Sequence, residues 1–369
     1  MFRPNLRGVV AAAALLLTAT ASGQAQTTPA GYPADYAQVV KDGTAEGKVV
    51  IYTSTDGDQA KAMLEAFKAA YPGIEIEYND LGTNGTYNRV ISEAAASQVG
   101  ADIVWTSAMD QAMSLALDSY TETYKSQETP NIPAWANFKD TLYGTTVEPI
   151  GFIYNTKLLP ESEIPKTRAD LIKFMKDNKD KFAGKLASFD PEKSGTGFLH
   201  DTNDVRATPN FWELADAFGA AKGKTYSSSG SMKETVVSGE NVLAFNIIGS
   251  YALKWVKDSP NLGVGFGTDY TAAFSRVAAI TKGAPHPNAA KLFLDFMLSK
   301  AGQEALVASG GLPSVRTDVA SGLNIKTLNE RVGGNLKPIA LDEGVAEYMS
   351  PEKRLEFFKR WKQAMNSAG

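Results

Sequence analysis

The first third of the chain alternates between strand and helix patterns, and this alternation constrains the fold more than any other feature. Apolar runs at residues 47–52 and 101–105 and an alternating run at 74–78 predict three strands. Apolar residues spaced three and four apart predict a helix in each gap between those strands. Such β-α-β-α-β order implies a mostly parallel sheet flanked by helices, on which ligands bind beyond the carboxyl ends of the strands.

The same alternation returns in the rest of the chain. Apolar patterns predict further strands and helices at residues 185–189, 210–219, 231–238, 241–248, 276–280, 288–299 and 351–365. The sequence therefore predicts an α/β protein with a second β/α unit that has its own turns.

The N-terminus has the three parts of a secretory signal peptide. Arg3 and Arg7 precede an apolar run at residues 9–17, which is too short to span a bilayer. Small residues follow, and we expect cleavage after Ala25, with Gly23 as the alternative. The sequence therefore predicts an exported, periplasmic protein with a signal peptide at residues 1–25.

The mature chain must be stable without disulfides, because the sequence contains no cysteine. The absence of cysteine after the apolar run also argues against a lipid anchor. Residues 26–35 are predicted to form a flexible leader without a core of its own. The remaining chain is long enough for two lobes of ordinary domain size.

The charge and histidine content argue against several classes of function. Removal of Arg3 and Arg7 with the signal peptide changes the formal net charge from −4 to about −6. A mildly acidic protein is a poor partner for nucleic acid and for anionic membranes. With His200 and His286 as the only histidines, zinc sites and histidine catalysis are poorly supplied, and we predict no metal and no cofactor.

The stretch DPEKSGTGF at residues 190–198 lies between a predicted strand and a predicted helix. Its central SGTG places two hydroxyls and a flexible backbone at a helix N-terminus, where unpaired N–H groups and the helix dipole suit an anion. Serine and threonine also cap helices without binding anything. Both interpretations, a cap and an anion site, remain open from these residues alone.

Five segments occur in an order that resembles a known family. They are residues 48–52, 101–109 (ADIVWTSAM), 148–155 (EPIGFIYN), 190–197 (DPEKSGTG) and 282–293 (KGAPHPNAAKLF). The chain resembles the extracellular solute-binding proteins of ABC transporters, and within them the branch that binds ferric iron or sugar phosphates.

The resemblance implies a fold of two α/β lobes joined by two crossing strands, with the ligand in the cleft between the lobes. It implies a first lobe at residues 36–147 and 272–369 and a second lobe at 148–271. The crossings are expected near residues 147–152 and 267–275.

A cleft ligand needs groups from both lobes, and the hydroxyl-rich strand ends supply them. Each candidate has the alternative of being a satisfied cap or turn. We further expect Arg89 and Arg276 to add positive charge, although a solvated surface role competes for each. The predicted ligand-binding residues are Ser54, Thr55, Arg89, Thr106, Ser107, Ser194, Gly195, Thr196, Gly197, Asn246, Tyr251 and Arg276.

The nature of these groups favours an organic anion over iron. Iron binders that this chain resembles supply adjacent tyrosines after the last strand of the second lobe. Here Ile247 and Ile248 occupy that place and Tyr251 stands alone. Neutral hydroxyls and helix N-termini suit a phosphorylated sugar or a phosphonate.

The resemblance also implies a membrane permease as partner, with a sensor kinase as the alternative, and a monomeric receptor. An exported hydrolase is a remote alternative. No G-x-S-x-G elbow occurs, and SPEK at residues 350–353 lacks the companion motifs of penicillin-binding enzymes. We therefore predict no enzymatic activity.

Overall fold

The computed structural model describes residues 28–320 and 322–366. The predicted signal peptide and residues 26 and 27 of the predicted leader lie outside the described residues. The strands are β1 Lys48–Thr53, β2 Glu75–Asp80, β3 Ile103–Thr106, β4 Asn137–Phe138, β5 Leu142–Gly144, β6 Glu148–Asn155, β7 Leu186–Phe189, β8 Lys224–Tyr226, β9 Leu243–Ile248, β10 Leu262–Gly265, β11 Thr271–Phe274, β12 Val277–Ile280 and β13 Leu336–Pro338.

Helices cover both sheets and connect the strands. The α-helices are α1 Tyr36–Glu46, α2 Gly57–Ala70, α3 Gly82–Ala95, α4 Met109–Leu117, α5 Arg168–Asp177, α6 Gly195–Ala207, α7 Phe211–Ala220, α8 Ser229–Ser238, α9 Gly249–Asp258, α10 Pro287–Leu298, α11 Lys300–Ala305, α12 Ile325–Arg331 and α13 Pro351–Met365. Short 3₁₀-helices lie at Thr129–Asn131, Ala134–Ala136, Glu161–Glu163 and Glu343–Met349, and a π-helical segment lies at Leu306–Gly310. None of the helices in the described ranges is long and apolar enough to cross a bilayer.

The described strands form two sheets. The first has the order β2-β1-β3-β12-β5-β4, and the second has the order β13-β11-β6-β9-β7-β8, with β10 paired to β6. In the first sheet β1 runs parallel to both β2 and β3, as the β-α-β-α-β pattern predicts. We call each sheet, with the helices packed on it, a lobe.

Both sheets are mixed, which corrects the expectation of mostly parallel sheets. Strand β12 runs antiparallel to β3 and β5, and β6 runs antiparallel to β9, β10 and β11. The β-α-β units remain parallel because a helix returns the chain to the same edge. Strands β6 and β12 arrive from the other lobe without such a helix, and they enter antiparallel.

The chain crosses between the lobes close to the expected positions. The first crossing lies at residues 145–147, between β5 of the first sheet and β6 of the second. The second lies at Ser275 and Arg276, between β11 of the second sheet and β12 of the first. The two crossings run side by side, because Phe274 pairs with Glu148.

The C-terminal part of the chain departs from the expected boundary at residue 272. Strand β13 pairs with β11 in the second sheet. Ile339 and Leu341 then belong to the core of the first lobe, but α13 returns to the second lobe. Its Phe357 packs with Phe198 and Phe211 at ring-centroid distances of 5.3 and 6.2 Å. We therefore propose that residues 351–366 belong to the second lobe.

The described part of the predicted leader packs on the first lobe. The Tyr32 hydroxyl donates to Glu128 at 2.7 Å, and the Tyr32 ring meets Tyr36 edge to face at 4.7 Å. Tyr36 is itself buried and donates to Asp295. Tyr32, within the predicted leader, is therefore attached to the first lobe, while residues 33–35 are exposed.

The assignment of α13 to the second lobe can be tested by substitution. Phe357→Leu should lower the free energy of unfolding by about 1–2 kcal/mol, because it removes buried aromatic contacts with Phe198 and Phe211. The measurement is urea unfolding of the purified protein. Leu355→Ala, on the exposed face of the same helix, should stay within about 0.5 kcal/mol of wild type. Equal effects of the two substitutions would contradict the assignment.

Candidate functional site

A cavity of about 230 Å³ lies between the two lobes. The first lobe contributes Ser54, Asp56, Asp80, Gly82, Thr83 and Ser107 to its lining. From the second lobe come Ser194, Thr196, Ser228, Ser229 and Tyr251, among others. The cavity therefore lies at the carboxyl ends of β1, β2, β7 and β9, where an α/β sheet binds its ligand.

Hydroxyl groups of the first lobe converge because β1 and β3 are parallel neighbours. The Ser54 hydroxyl oxygen accepts from the Ser107 backbone N–H at 3.0 Å and lies 3.1 Å from the Ser107 hydroxyl. It also lies 3.3 Å from the Thr106 hydroxyl. The two strand ends thus present a joined pair of serines to the cavity.

The two lobes contact each other directly beside this pair. The Ser107 and Thr196 hydroxyl oxygens are 2.7 Å apart. The Gly195 backbone N–H donates to the Thr83 hydroxyl at 3.0 Å, and the Asn84 amide donates to the Lys193 carbonyl at 3.1 Å. The structure therefore shows a closed cleft, in which hydroxyls of one lobe bond to the start of α6 in the other.

Helix N-termini surround the cavity. The lining includes the residue before α2, the first residues of α3, the caps of α6 and α8, and the residue before α9. The Ser194 hydroxyl accepts from Gly197 N–H and the Ser228 hydroxyl accepts from Ser231 N–H, both at 3.1 Å. Several N–H groups of each first turn remain without a helical partner, and the helix dipoles add positive potential. This arrangement suits the binding of an anion.

Arg276 lies behind the cavity wall and is held by a buried network. Its guanidinium donates to Glu148 at 2.8 Å, to the Thr55 hydroxyl at 2.9 Å and to the Tyr251 hydroxyl at 3.0 Å. Arg276 is 1% exposed and the Glu148 side chain is fully buried. Burial disfavours the charged guanidinium, but Glu148, Tyr251 and Asp56 together outweigh that effect and raise the pKa of Arg276.

The phenol of Tyr251 connects this network to the cavity. Burial raises its pKa well above the ordinary value, although the charge of Arg276 acts in the opposite direction. The phenol therefore stays protonated at neutral pH and presents a neutral hydroxyl to a ligand.

Two carboxylates are the charged side chains of the lining. Burial raises the pKa of Asp80, the Gly82 N–H lowers it, and the nearby Asp56 carboxylate raises it further. The Asp80 oxygen Oδ1 accepts from Gly82 N–H at 3.2 Å. The cavity thus combines helix N-termini and hydroxyls with an acidic corner in the first lobe.

The described residues contain no group of three or more histidine, cysteine, aspartate or glutamate side chains able to hold a metal ion. The oxygen atoms of Asp56, Asp80 and Tyr251 are hard donors of the kind that a hard cation prefers. The lining itself is therefore compatible with two kinds of ligand, an organic anion and a hard cation.

Comparison with known proteins decides the family. Residues 62–330 match the sequence model of the bacterial extracellular solute-binding proteins. The chain belongs to this family. The resemblance drawn from the sequence is thereby confirmed.

Solved structures that are similar to this solute-binding protein have the same two-lobe fold. The substrate-binding protein of an ABC transporter from Agrobacterium tumefaciens is 33% identical, with a TM-score of 0.81 over 86% of this chain and 94% of that one. AfuA from Actinobacillus pleuropneumoniae, solved with fructose-6-phosphate, is 20% identical, with a TM-score of 0.70 over 86% and 98% of the two chains. Iron-bound HitA from Pseudomonas aeruginosa is 18% identical, with a TM-score of 0.66 over 86% and 99%. These comparisons confirm the two-lobe α/β fold.

Most of the predicted binding residues of this solute-binding protein meet at one place. Ser54, Ser107, Ser194, Thr196 and Tyr251 line the cavity. The other hydroxyls and glycines lie just behind them. Thr55 bonds to Arg276, Thr106 bonds to Ala108 N–H, Gly195 donates to Thr83, and Gly197 packs on Phe189.

Arg89 does not reach the cleft. It pairs with Glu93 at 2.8 Å and its guanidinium lies over the Tyr52 ring at 4.4 Å. Gly82 begins α3 at the cleft, and Arg89 lies seven residues farther along the helix. At 1.5 Å per residue, this separation is about 10 Å.

Asn246 faces a different cavity. Its amide donates to Asp201 at 2.7 Å, and it lines a pocket of about 60 Å³ within the second lobe, together with Phe152 and Arg168. Asn246 is in the left-handed region, with φ of 58°. The cleft end of β9 is Ile248 rather than Asn246.

Sequence reasoning missed several lining residues of this solute-binding protein. Asp56 follows β1 and Asp80 ends β2, but acidic residues at helix starts are too common to single out. Ser228 and Ser229 belong to the run SSSG at residues 227–230, which precedes a helix as SGTG does. That run is a signal that could have identified them.

Proposed function

We propose that this protein is the periplasmic receptor of an ABC importer for a small organic anion, such as a phosphorylated sugar or a phosphonate. The observation that supports it is the convergence of the first turns of α2, α3, α6, α8 and α9 on one interlobe cavity. Phosphate and phosphonate oxygens accept hydrogen bonds from N–H groups and hydroxyls of this kind.

Closure of the lobes is the step that links binding to transport. The ligand contacts groups from both lobes, so it binds the closed form more tightly and shifts the population toward it. The closed form then docks on a membrane permease as a monomer. Delivery to a sensor kinase is the alternative, and pull-down with each membrane partner separates the two.

Ferric iron is the second candidate, because Asp56, Asp80 and Tyr251 bring three hard oxygen donors to the lining. Two features argue against it. Tyr251 accepts a hydrogen bond from the Arg276 guanidinium, and Ile247 and Ile248 precede it instead of tyrosines.

A thermal-shift screen of organic phosphates, phosphonates and iron(III) tests the proposed function. A ligand present at about 100 times its Kd stabilises the folded protein by about 2.7 kcal/mol. We expect a phosphate or phosphonate to raise the unfolding temperature. Stabilisation by iron(III) alone, with a visible charge-transfer colour, would contradict the anion proposal, and turnover of phosphate or ester substrates would contradict a pure binding role.

The double substitution Ser194→Ala, Thr196→Ala then tests whether the stabilising ligand binds in this cavity. Affinity should fall about tenfold or more, because two hydroxyls of the lining are lost. Ser228→Ala serves as a comparison in the second helix cap. Unchanged affinity in the double variant would leave Ser194 as a helix cap without a ligand role.

A further inference from the structure

The acidic corner of the cavity is formed by two neighbouring strand ends. Asp80 is the last residue of β2 and pairs in register with Thr53, the last residue of β1. Asp56 follows three residues after Thr53 and precedes α2. The parallel pairing of β1 and β2 therefore brings both carboxylates to the same edge of the first sheet.

Both carboxylates retain acceptor capacity toward the cavity. Asp80 uses Oδ1 for Gly82 N–H. Asp56 makes no side-chain capping bond to α2, although it is placed to do so, and its carboxylate accepts a hydrogen bond from the Tyr251 hydroxyl. A carboxylate has about four lone-pair sites, so one such bond each leaves acceptor capacity for a ligand.

The nearby cations neutralise this corner only in part. The Arg276 guanidinium interacts with the charges of Asp56 and Asp80, but its ion pair is with Glu148 at 2.8 Å, so one positive charge is shared among three carboxylates. Lys193, whose carbonyl bonds to Asn84, carries its ammonium group outward and pairs with Asp190 at 2.9 Å. A ligand with only negative charge would therefore meet two like charges across a short distance.

The wall of the cavity opposite the two aspartates suits a negatively charged group. Ser194, Thr196, Ser228 and Ser229 stand at the starts of α6 and α8 in the second lobe. These helix N-termini provide N–H groups and positive dipole potential. The cavity thus has an anion-binding wall from the second lobe facing a carboxylate corner from the first.

We propose that the transported ligand is zwitterionic, a small aminoalkyl phosphonate or amino-bearing phosphate ester whose ammonium group binds between Asp56 and Asp80. The phosphorus group then lies at the starts of α6 and α8. This inference rests on the proposed function, because the anionic end of the ligand is the one proposed there. A cavity of about 230 Å³ accommodates a compact molecule of this class.

Matched ligands that differ in a single group test the inference. The probes are 2-aminoethylphosphonate against 2-hydroxyethylphosphonate, and glucosamine 6-phosphate against glucose 6-phosphate, measured by titration calorimetry. We expect the amino compound of at least one pair to bind about 10- to 100-fold more tightly, which is the effect of charge-assisted hydrogen bonds to a carboxylate.

Substitution of the two carboxylates tests whether they cause the preference for the amino compound. In Asp80→Asn and in Asp56→Asn, the amino-over-hydroxyl preference should fall toward unity, while affinity for the hydroxyl compound stays equal or increases. Asp58→Asn is the matched control, since Asp58 lies in the first turn of α2 and is exposed like Asp56 and Asp80, but it is outside the lining. Unfolding midpoints of all variants establish that each one folds, and either aspartate variant alone is sufficient for the test.

The outcomes separate the inference from the proposed function. Equal affinity for the amino and hydroxyl compounds, or equal losses for both in the aspartate variants, would overturn the zwitterion assignment and leave an anion receptor. A lack of binding by every phosphate and phosphonate tested would overturn both.

Discussion

Glu148→Gln should lower the free energy of unfolding by about 3–5 kcal/mol, the effect of removing one partner of a buried ion pair. Arg276 would then keep its charge in a site where it is 1% exposed, with the neutral hydroxyls of Thr55 and Tyr251 as hydrogen-bond partners. Desolvation of an unpaired guanidinium is the cause of the loss.

The position of this ion pair explains why its loss should destabilise the whole protein. Glu148 starts β6 just after the first crossing, and Arg276 is part of the second crossing. Arg276 N–H also donates to the Thr146 hydroxyl at 2.9 Å, and the Ser250 hydroxyl donates to Glu148 at 2.5 Å. The ion pair therefore joins the two crossing segments to each other and to the start of α9.

Urea unfolding of three variants measures the effect. Glu148→Gln and Arg276→Met should each be strongly destabilised, while the double variant should recover much of the loss because no buried charge remains. Lys173→Met is a matched control, since its pair with Asp177 is exposed and should contribute less than about 1 kcal/mol. Small, additive losses in the single variants would show that the pair does not stabilise the crossings.

The hydroxyl-rich strand ends could be predicted from the sequence because the geometry of a parallel β-α-β unit is general. Parallel neighbours end at the same edge, so Ser54 and Ser107 had to lie close together once both strands were identified. The same reasoning could not place Asn246 or Arg89. The direction of each side chain depends on the exact position of the residue within its strand or helix. An error of one or two residues in a predicted boundary therefore places the side chain on the wrong face of the element.

Long-range packing was the other limit of prediction. The apolar periodicity of α13 shows that one face is buried, and its bounds were predicted as observed. Periodicity does not name the surface that buries this face. Residues 339–346 pack on the first lobe, and α13 then reaches Phe198 and Phe211 on the second.

The acidic corner was not predictable for a different reason. Aspartates before helices are favourable on their own as partners of the helix dipole, so Asp56 and Asp80 carry no pattern that marks a binding site. Only the pairing of β1 with β2 shows that both face one cavity.

Gly195→Leu should weaken ligand binding about 100-fold while leaving the lobes folded. A Cβ at this position would lie 2.6 Å from the Gln111 amide nitrogen and 3.0 Å from the Thr83 Cβ, both in the other lobe. A leucine therefore has no room in the closed form, and overpacking of this kind costs about 1–3 kcal/mol. In an open form the same side chain faces solvent, so the penalty falls on closure.

A distance measurement across the cleft distinguishes blocked closure from lost contacts. The chain contains no cysteine, so cysteines placed at exposed Lys61 and Glu234 can carry spin labels without background. With the phosphorylated ligand chosen by the thermal screen, the parent should show the short distance and Gly195→Leu a longer one. Gly57→Leu is the control, because a Cβ there meets nothing within 4 Å. If Gly195→Leu shows the short distance and normal affinity, the contact between α6 and the first lobe is not needed for closure. Ligand contacts with both lobes would then be sufficient to shift the population toward the closed form.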